Sequence, residues 1–457
     1  MRAVHVALTA AMCSFVLSVV VRGGNTEGII WLGGAIAAIA LALASAIDKA
    51  PNPTRSGGVA SALCGLAFFL IVVAGACGAI SFSSDTWLRL PGRETYRPIT
   101  DMLHESPWAM DRFTLSIDLP ATHRATLTAL GSLAAFLGAL RLPPTLLRRT
   151  LSLFLAVAVV EAFLGLLQLA LGSPSFLAFG SAVGSYRASG TFVNKNHYAT
   201  LLAMALPLLI RQSFDAGASV GRRVGMDFSR GWWVLASAVV ASALISSLSR
   251  AGVSAGCFVS ALALMACAAQ ATHRGVRWSV FVLLAVSTLI LVAGTGLGAF
   301  VQSIQSTEFV RSVDGRLALN DATLAAANKV FPVGTGLGTF SIAFQRFQPA
   351  TLPGFIEHAH NDYQQALFEI GIVGVVVIVL FALAWAIGAT KTLRRALQRK
   401  PLSIAGAALL GCTAFAFHAW FDFPSHIPGL AWIAAFLSGV ACRGDLSLGF
   451  EESRRFH

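Results

Sequence analysis

Twelve apolar stretches joined by mostly short polar connections constrain this chain more than any other feature. A helix needs roughly 20 residues to cross about 30 Å of hydrocarbon. Apolar runs of this order cover residues 4–21, 28–47, 58–80, 125–141, 150–172, 196–211, 232–248, 252–270, 278–300, 363–388, 402–420 and 428–441. The runs at 196–211 and 428–441 are the shortest. Only 12% of the residues are charged and 56% are hydrophobic, whereas a soluble domain carries about a quarter charged residues. The expected fold class is all-α: a polytopic membrane protein of about twelve transmembrane helices, with residues 1–457 forming one integral membrane domain. The first run follows Arg2 and is read as a retained span, because no small-x-small cleavage site precedes the next run.

Basic residues orient such a chain, since cytoplasmic loops are enriched in Lys and Arg. With the N-terminus inside, the inside connections hold Lys49 and Arg55; Arg141, Arg148 and Arg149; Arg211, Arg222, Arg223 and Arg230; and Arg274 and Arg277. They also hold Lys391, Arg394, Arg395, Arg399 and Lys400, then Arg443, Arg454 and Arg455. Twelve crossings return the C-terminus to the cytoplasm beside its own basic residues. The net charge of +12 is then accounted for by insertion and by contact with anionic membrane lipids; nucleic acid is not an expected partner. The seven cysteines lie in or at the edges of apolar runs without a CxxC pair, and read as small core residues.

Two connections on the outer side are long, at residues 81–124 and 302–361, and long loops are uncommon unless they function. The first carries Trp87, Arg89, Arg93, Arg97 and Pro107-Trp108. In the second, Val313–Lys329 has helical composition, and Phe331-Pro-Val-Gly-Thr-Gly-Leu-Gly338 breaks it. A lid-like loop containing a helix is expected between the ninth and tenth spans. Three further outer arginines stand out. Arg187 lies in Arg-Ala-Ser-Gly-Thr-Phe-Val-Asn-Lys-Asn-His-Tyr198, Arg250 in the tight Ser249-Arg-Ala-Gly252 turn, and Arg316 in Asp314-Gly-Arg. Guanidinium forks bind phosphate oxygens bidentately and stay charged, so arginines converging at one interface suit a diphosphate. Each taken alone is equally compatible with snorkelling or helix capping.

The second long loop re-enters the membrane through His358-Ala-His-Asn-Asp-Tyr-Gln-Gln365. Polar groups at a bilayer boundary are usually kept for function. His358, His360 and Asp362 have a spacing that could serve a metal, with His197, His418 and His426 as further ligands. A general base is the alternative: an imidazole titrates near pH 6.5 and can accept a proton from a sugar hydroxyl. Asn361 or Asp362 could orient the ring. A histidine that only satisfies an interfacial hydrogen bond is the third possibility. Gly334, Gly336 and Gly338 follow no strand, so a dinucleotide-binding loop is rejected.

Together these elements resemble the O-antigen ligase superfamily of bacterial surface-polysaccharide ligases and polymerases. His360-Asn361, nine residues, Gly371, two residues and Gly374 are similar to that family's His-Asn-x9-Gly-x-x-Gly signature, and follow a long loop as they do there. The Arg187-x-x-Gly-Thr-Phe-x-Asn element, the Ser249-Arg250 turn, the Pro332-x-x-Gly-x-Gly-x-Gly338 run and Arg316 also look like family elements. The likeness spans most of residues 125–441. The resemblance implies a GT-C type membrane glycosyltransferase with its site facing the periplasm of the bacterial inner membrane. It implies transfer of a glycan from undecaprenyl pyrophosphate to an acceptor hydroxyl, inverting, with no metal and no other cofactor. His360 would be the catalytic base. Arg187, Arg250 and Arg316, with His358, Asn361 and Asp362, would form the substrate-binding set. The acceptor would be lipid A-core for a ligase, or a second lipid-linked glycan for an O-antigen or exopolysaccharide polymerase, and both stand equally. A twelve-span transporter or flippase is the alternative from another class. It calls for charged or broken spans at mid-membrane; here the mid-span positions are almost charge-free, Glu161 being the notable exception, and the polar residues collect at one face, which favours surface chemistry over translocation.

Overall fold

The structure is a computed structural model and describes residues 2–45, 55–104, 111–181, 183–184, 187–215, 228–268, 285 and 307–443. Helices dominate it. In chain order they are α1 (Arg2–Ser18), α2 (Glu27–Ser45), α3 (Arg55–Cys77), α4 (Ser84–Leu88), α5 (Arg97–His104), α6 (Leu119–Arg141), α7 (Pro144–Ala170) and α8 (Lys195–Asp215). Then come α9 (Phe228–Ser246), α10 (Arg250–Ala268), α11 (Thr307–Val330), α12 (Phe340–Ala343), α13 (Asp362–Leu397), α14 (Ile404–Ala419) and α15 (Pro428–Cys442). One small antiparallel sheet interrupts the helices: β1 (Ser81–Ser83) pairs with β2 (Arg112–Thr114), Phe82 opposite Phe113.

Every span expected from the sequence coincides with a helix except 278–300, which apart from residue 285 lies outside the described residues. By length and composition, α2, the Gly58–Cys77 part of α3, α7, α10 and α13 suffice to cross a membrane. Four shorter apolar helices accompany them, in α1, α9, α14 and α15. The expected spans at 125–141 and 196–211 fall in α6 and α8, which belong to neither group.

The packing has two centres. In one, α6 lies against α2, α3 and α15, and α13 lies along α3. The buried Trp432 of α15 sits here and donates from Nε1 to the Thr128 carbonyl at 3.0 Å. In the other, α8 is enclosed by α9, α10 and α14. Tyr198 and residues 201–206 of α8 are all buried, so this helix is wrapped by protein on every side. That explains why its composition is less apolar than a lipid-facing span: burial in protein lets side chains and backbone find polar partners.

The two long connections are structured. A separate small apolar core lies under the second, built from Leu319, Ala326 and Val330 of α11, Phe340 of α12, Phe344 and Phe368. Here α11 packs on α13, and Phe340 and Phe344 stack at 4.7 Å. The first connection is clamped to the second by Arg93. Its side chain is fully buried, donates from Nη2 to Leu115 O (2.8 Å) and Gly334 O (3.1 Å), and lies 5.3 Å from the centre of the Trp87 ring. Burial pushes its pKa down to about 10, so it remains a cation at neutral pH.

The Gly371 position makes the junction possible. It interrupts α13 with φ 51° and ψ −125°, a region open in practice to glycine alone. A Cβ there would strike the Pro332 carbonyl, and one on Gly334 would strike the Glu369 carbonyl. The break lets the glycine loop lie directly on the helix backbone. Ile372 N donates to Pro332 O (2.9 Å), Gly336 N to Glu369 O (2.8 Å) and Thr335 N to Phe368 O (3.1 Å).

Candidate active site

Asn361 begins α13 as its N-cap, with Oδ1 accepting from Tyr363 N (3.1 Å) and Gln364 N (3.2 Å). A buried carboxamide spent on orphan helix amides does not orient the neighbouring histidine. His360 precedes it at φ 51°, an uncommon conformation for a side-chain-bearing residue and one that repays attention at a site. Its Nδ1 lies 3.1 Å from Oδ1 of Asp422, whose side chain is 1% exposed against 34% for the histidine. Asp422 comes from the turn between α14 and α15 and also accepts from Phe423 N (3.0 Å). Burial acts to raise its pKa, but the His360 hydrogen bond and the neighbouring imidazoles of His197 and His418 outweigh it and hold the carboxyl below its usual range. An ionised carboxylate only accepts, so the imidazole proton sits on Nδ1 and Nε2 keeps a free lone pair.

Asp362 faces a different partner. Its Oδ1 lies 2.9 Å from His426 Nδ1, and its Oδ2 accepts from Ser425 N (3.0 Å). On the other side of that ring, His426 Nε2 is 2.9 Å from Gln365 Nε2 and 3.9 Å from Glu369 Oε2. Burial alone would lower the His426 pKa, but the hydrogen bonds and charges of Asp362 and Glu369 overcome it and push the pKa up to about 10. Gln365 Nε2 can only donate, and it also donates to Glu369 Oε1 (2.9 Å); against that contact, the charges of Asp362 and Glu369 decide for the protonated ring. Glu369 also ties this cluster to the glycine loop, accepting from Gly338 N (2.7 Å) and Phe340 N (3.2 Å).

Phe423 is the hub of the histidines. His358 stacks on it at 4.0 Å, while His197 (4.8 Å) and His360 (5.0 Å) meet it edge to face. His358 Nδ1 lies 3.3 Å from Gln365 Nε2, and burial, then the nearby His426, His360 and His197, push its pKa down. A neutral His358 accepts from Gln365. Thus His358, His360 and Asp362, which the spacing offered as a ligand set, are committed to three different partners. Among the described residues no three His, Cys, Asp or Glu side chains group as a metal site.

The arginine-bearing segments come together beside this cluster. Ala188 N donates to Ser246 O (3.0 Å) at the end of α9. Lys195 Nζ, at the start of α8, donates to Leu248 O (2.8 Å) in the turn before Arg250. The segment after Arg187 and the turn before Arg250 are therefore bonded to each other. Lys195 lies near enough to Arg187, Arg250 and Arg316 for all three charges to act on it, and His418 senses Arg316 and Asp422. Arg187 is exposed, and Arg250 and Arg316 are half-buried.

The sequence reading passed over Asp422, Phe423, Gln365, Glu369 and Lys195 as site residues. A signal for the first two existed: Trp420-Phe-Asp-Phe-Pro-Ser-His-Ile-Pro428 is a short polar turn between two apolar runs. An Asp there, with two prolines, is costly at a bilayer boundary unless it has a partner.

Residues 235–379 match the family model described as O-Antigen ligase. Over that segment the chain is similar to the O-antigen ligase family. No curated protein sequence matches it. The matched segment of this O-antigen ligase homologue holds Arg250, Arg316 and the whole 358–374 junction, while Arg187, Asp422 and His426 lie outside it. The match supports, in general terms, membrane glycosyl transfer of the ligase or polymerase type on lipid-linked glycans.

Proposed function

We propose that this protein transfers a glycan from undecaprenyl pyrophosphate to an acceptor hydroxyl at the periplasmic face of the bacterial inner membrane. The observation that carries the reading is the His360–Asp422 pair: a half-exposed imidazole whose Nδ1 is held by a buried carboxylate at 3.1 Å. Such a ring offers Nε2 as a base and gains stabilisation from the carboxylate once it becomes an imidazolium. The acceptor O–H loses its proton to Nε2 as its oxygen attacks the anomeric carbon. The bond from that carbon to the pyrophosphate oxygen breaks, the configuration inverts, and undecaprenyl pyrophosphate departs. Arg187, Arg250 and Arg316 are assigned to the diphosphate, where fixed cations stabilise the charge that develops on the leaving group. Transfer needs no metal in this scheme, because arginines and base divide the work a metal would do. His358, Asn361 and Asp362, the other members of the expected binding set, are assigned to shaping the pocket through Phe423, the α13 cap and His426. The chain would make twelve crossings with both termini cytoplasmic and with residues 302–361 as a lid.

The one notable mid-span charge, the exception to a pattern that disfavours a transporter, has a partner of its own. Glu161 is engaged by Thr191, accepting from its N (2.9 Å) and Oγ1 (2.7 Å), which supports a fixed structural role over a carrier's. The test is purified protein incubated with undecaprenyl-pyrophosphate glycan, with or without lipid A-core. Glycan on lipid A-core identifies a ligase, and elongated lipid-linked glycan with no second acceptor identifies a polymerase. Donor left unchanged in both mixtures would remove the assignment.

A further inference from the structure

One face of α7 carries Glu161, Gly165 and Gln168. Seven residues are nearly two full turns, so Glu161 and Gln168 stand above one another on this face. Both side chains are 1% exposed. Among the described residues neither forms an ion pair; both bond chiefly to residues 189–191. Gln168 Oε1 accepts from Gly190 N (2.9 Å) and Ser189 N (3.2 Å), and its Nε2 donates to Gly190 O (2.6 Å) and Leu177 O (2.7 Å). Glu161 takes the next amide and hydroxyl, both of Thr191, at 2.9 and 2.7 Å. Tyr198 of α8 closes the arrangement by donating to Glu161 O (3.2 Å). Gly190 has φ 55°, and a Cβ there would collide with the Glu161 carboxylate and the Tyr198 ring. The glycine and threonine of Arg187-x-x-Gly-Thr therefore answer to two side chains of a neighbouring helix.

We propose that Glu161 and Gln168 are positioning residues for the donor: from within the bundle they clamp residues 189–191, and so set where Arg187 and the start of α8 meet the diphosphate. The inference rests on the reading of Arg187 as a diphosphate ligand. Arg187 is two residues ahead of the clamped segment, and Ala188 is already bonded to Ser246 O (3.0 Å), beside the Arg250 turn. The clamp thus fixes the exposed Arg187 relative to the half-buried Arg250. A fixed carboxylate is a better anchor than a neutral group because bonds to it are stronger than neutral ones.

The test uses full-length enzyme in lipid nanodiscs with undecaprenyl-pyrophosphate glycan as donor and an acceptor in excess. Glu161→Gln presents an amide NH₂ to a donor pair and loses at least one buried hydrogen bond, so a rise in donor KM of about ten-fold or more is expected. The acceptor KM should stay within about two-fold and kcat within about three-fold, on the same scale. Glu161→Gln combined with Arg187→Ala should be no worse for the donor than Arg187→Ala alone, because both remove the same contact. Amide exchange at 189–191 should speed up in Glu161→Gln and in Gln168→Leu. Should Glu161→Gln fail to accumulate, Thr191→Ser and Thr191→Ala replace it: serine keeps the hydroxyl donor and should hold the wild-type donor KM, and alanine should not. An active wild type with an unmoved donor KM in these variants overturns this inference alone. So does an effect additive with Arg187→Ala, or one that falls equally on the acceptor. A wild type inert to this donor overturns the proposed function and this inference with it.

Discussion

At the scale of single residues, the site depends on which nitrogen of His360 is free. Asp422 holds Nδ1, so Asp422→Asn should leave the ring in place and disturb its tautomer. General-base catalysis contributes about 10²–10⁴-fold, and a loss of that order in kcat is expected for both His360→Ala and Asp422→Asn. Purified variants should elute as the wild type does. Wild-type turnover by His360→Ala would remove the base. His358→Ala should cost no more than about ten-fold, the scale of one neutral hydrogen bond, since its ring contacts Gln365 and Phe423. His426 carries a pH signature. Its folded pKa of about 10 exceeds the ordinary 6.5, so the folded state binds that proton more tightly than the unfolded state. This contribution is complete below about pH 6.5 and is lost as pH rises through about 10. Thermal unfolding followed from pH 6 to 10 should show a falling Tm, and His426→Gln should flatten the slope. A slope unchanged in the variant would assign the proton elsewhere.

At the scale of elements, the junction of α13 with the glycine loop turns on a backbone that no side chain can enter. Gly371→Ala combines a strained conformation with a collision against Pro332, an expected cost of about 2–6 kcal/mol. Gly315 is the useful contrast. It is exposed on α11 with open space where a Cβ would go, and alanine there should add up to about 1 kcal/mol of helix stability. Folded yield and Tm in detergent should therefore move in opposite directions for the two variants. Equal behaviour would show that the α13 break does not carry the fold. The same junction explains half of the His-Asn-x9-Gly-x-x-Gly signature: Gly371 is architectural, whereas the proposed scheme gives its histidine the chemistry. The sequence displayed both but could not separate them, because only the approach of residues 332–336 shows what the glycine admits.

At the scale of the whole molecule, the proposed chemistry gathers cations from segments far apart in the chain around a base that draws its carboxylate from a fourth. Two unit charges about 4 Å apart interact by roughly 4 kcal/mol at an effective dielectric of 20. Removing Arg187, Arg250 or Arg316 should thus lower donor turnover by orders of magnitude. Lysine should restore only part of it, as a point charge replacing a planar fork. Turnover should also persist in EDTA. Activity lost to the chelator and restored by Zn²⁺ or Mg²⁺ would replace the arginine scheme with a metal one.

The sequence by itself determined the helical membrane architecture, the place of the two long connections and the 358–374 junction. These are local properties: an apolar run of a given length, a charge bias, and a histidine beside a helix cap are all written in consecutive residues. The lid helix expected at 313–329 likewise falls within α11, because its periodicity is local. Only the tertiary structure decided the partners. Asp422 reaches His360 across 62 positions and His426 reaches Asp362 across 64, so the Asn361 and Asp362 that adjacency suggested for the ring are occupied elsewhere. Glu161, conspicuous in the sequence as a charge inside a span, acquired a reason only when α7 was placed against residues 189–191. Hydrogen bonds between distant segments are set by how helices pack, and a chain read residue by residue does not contain that distance.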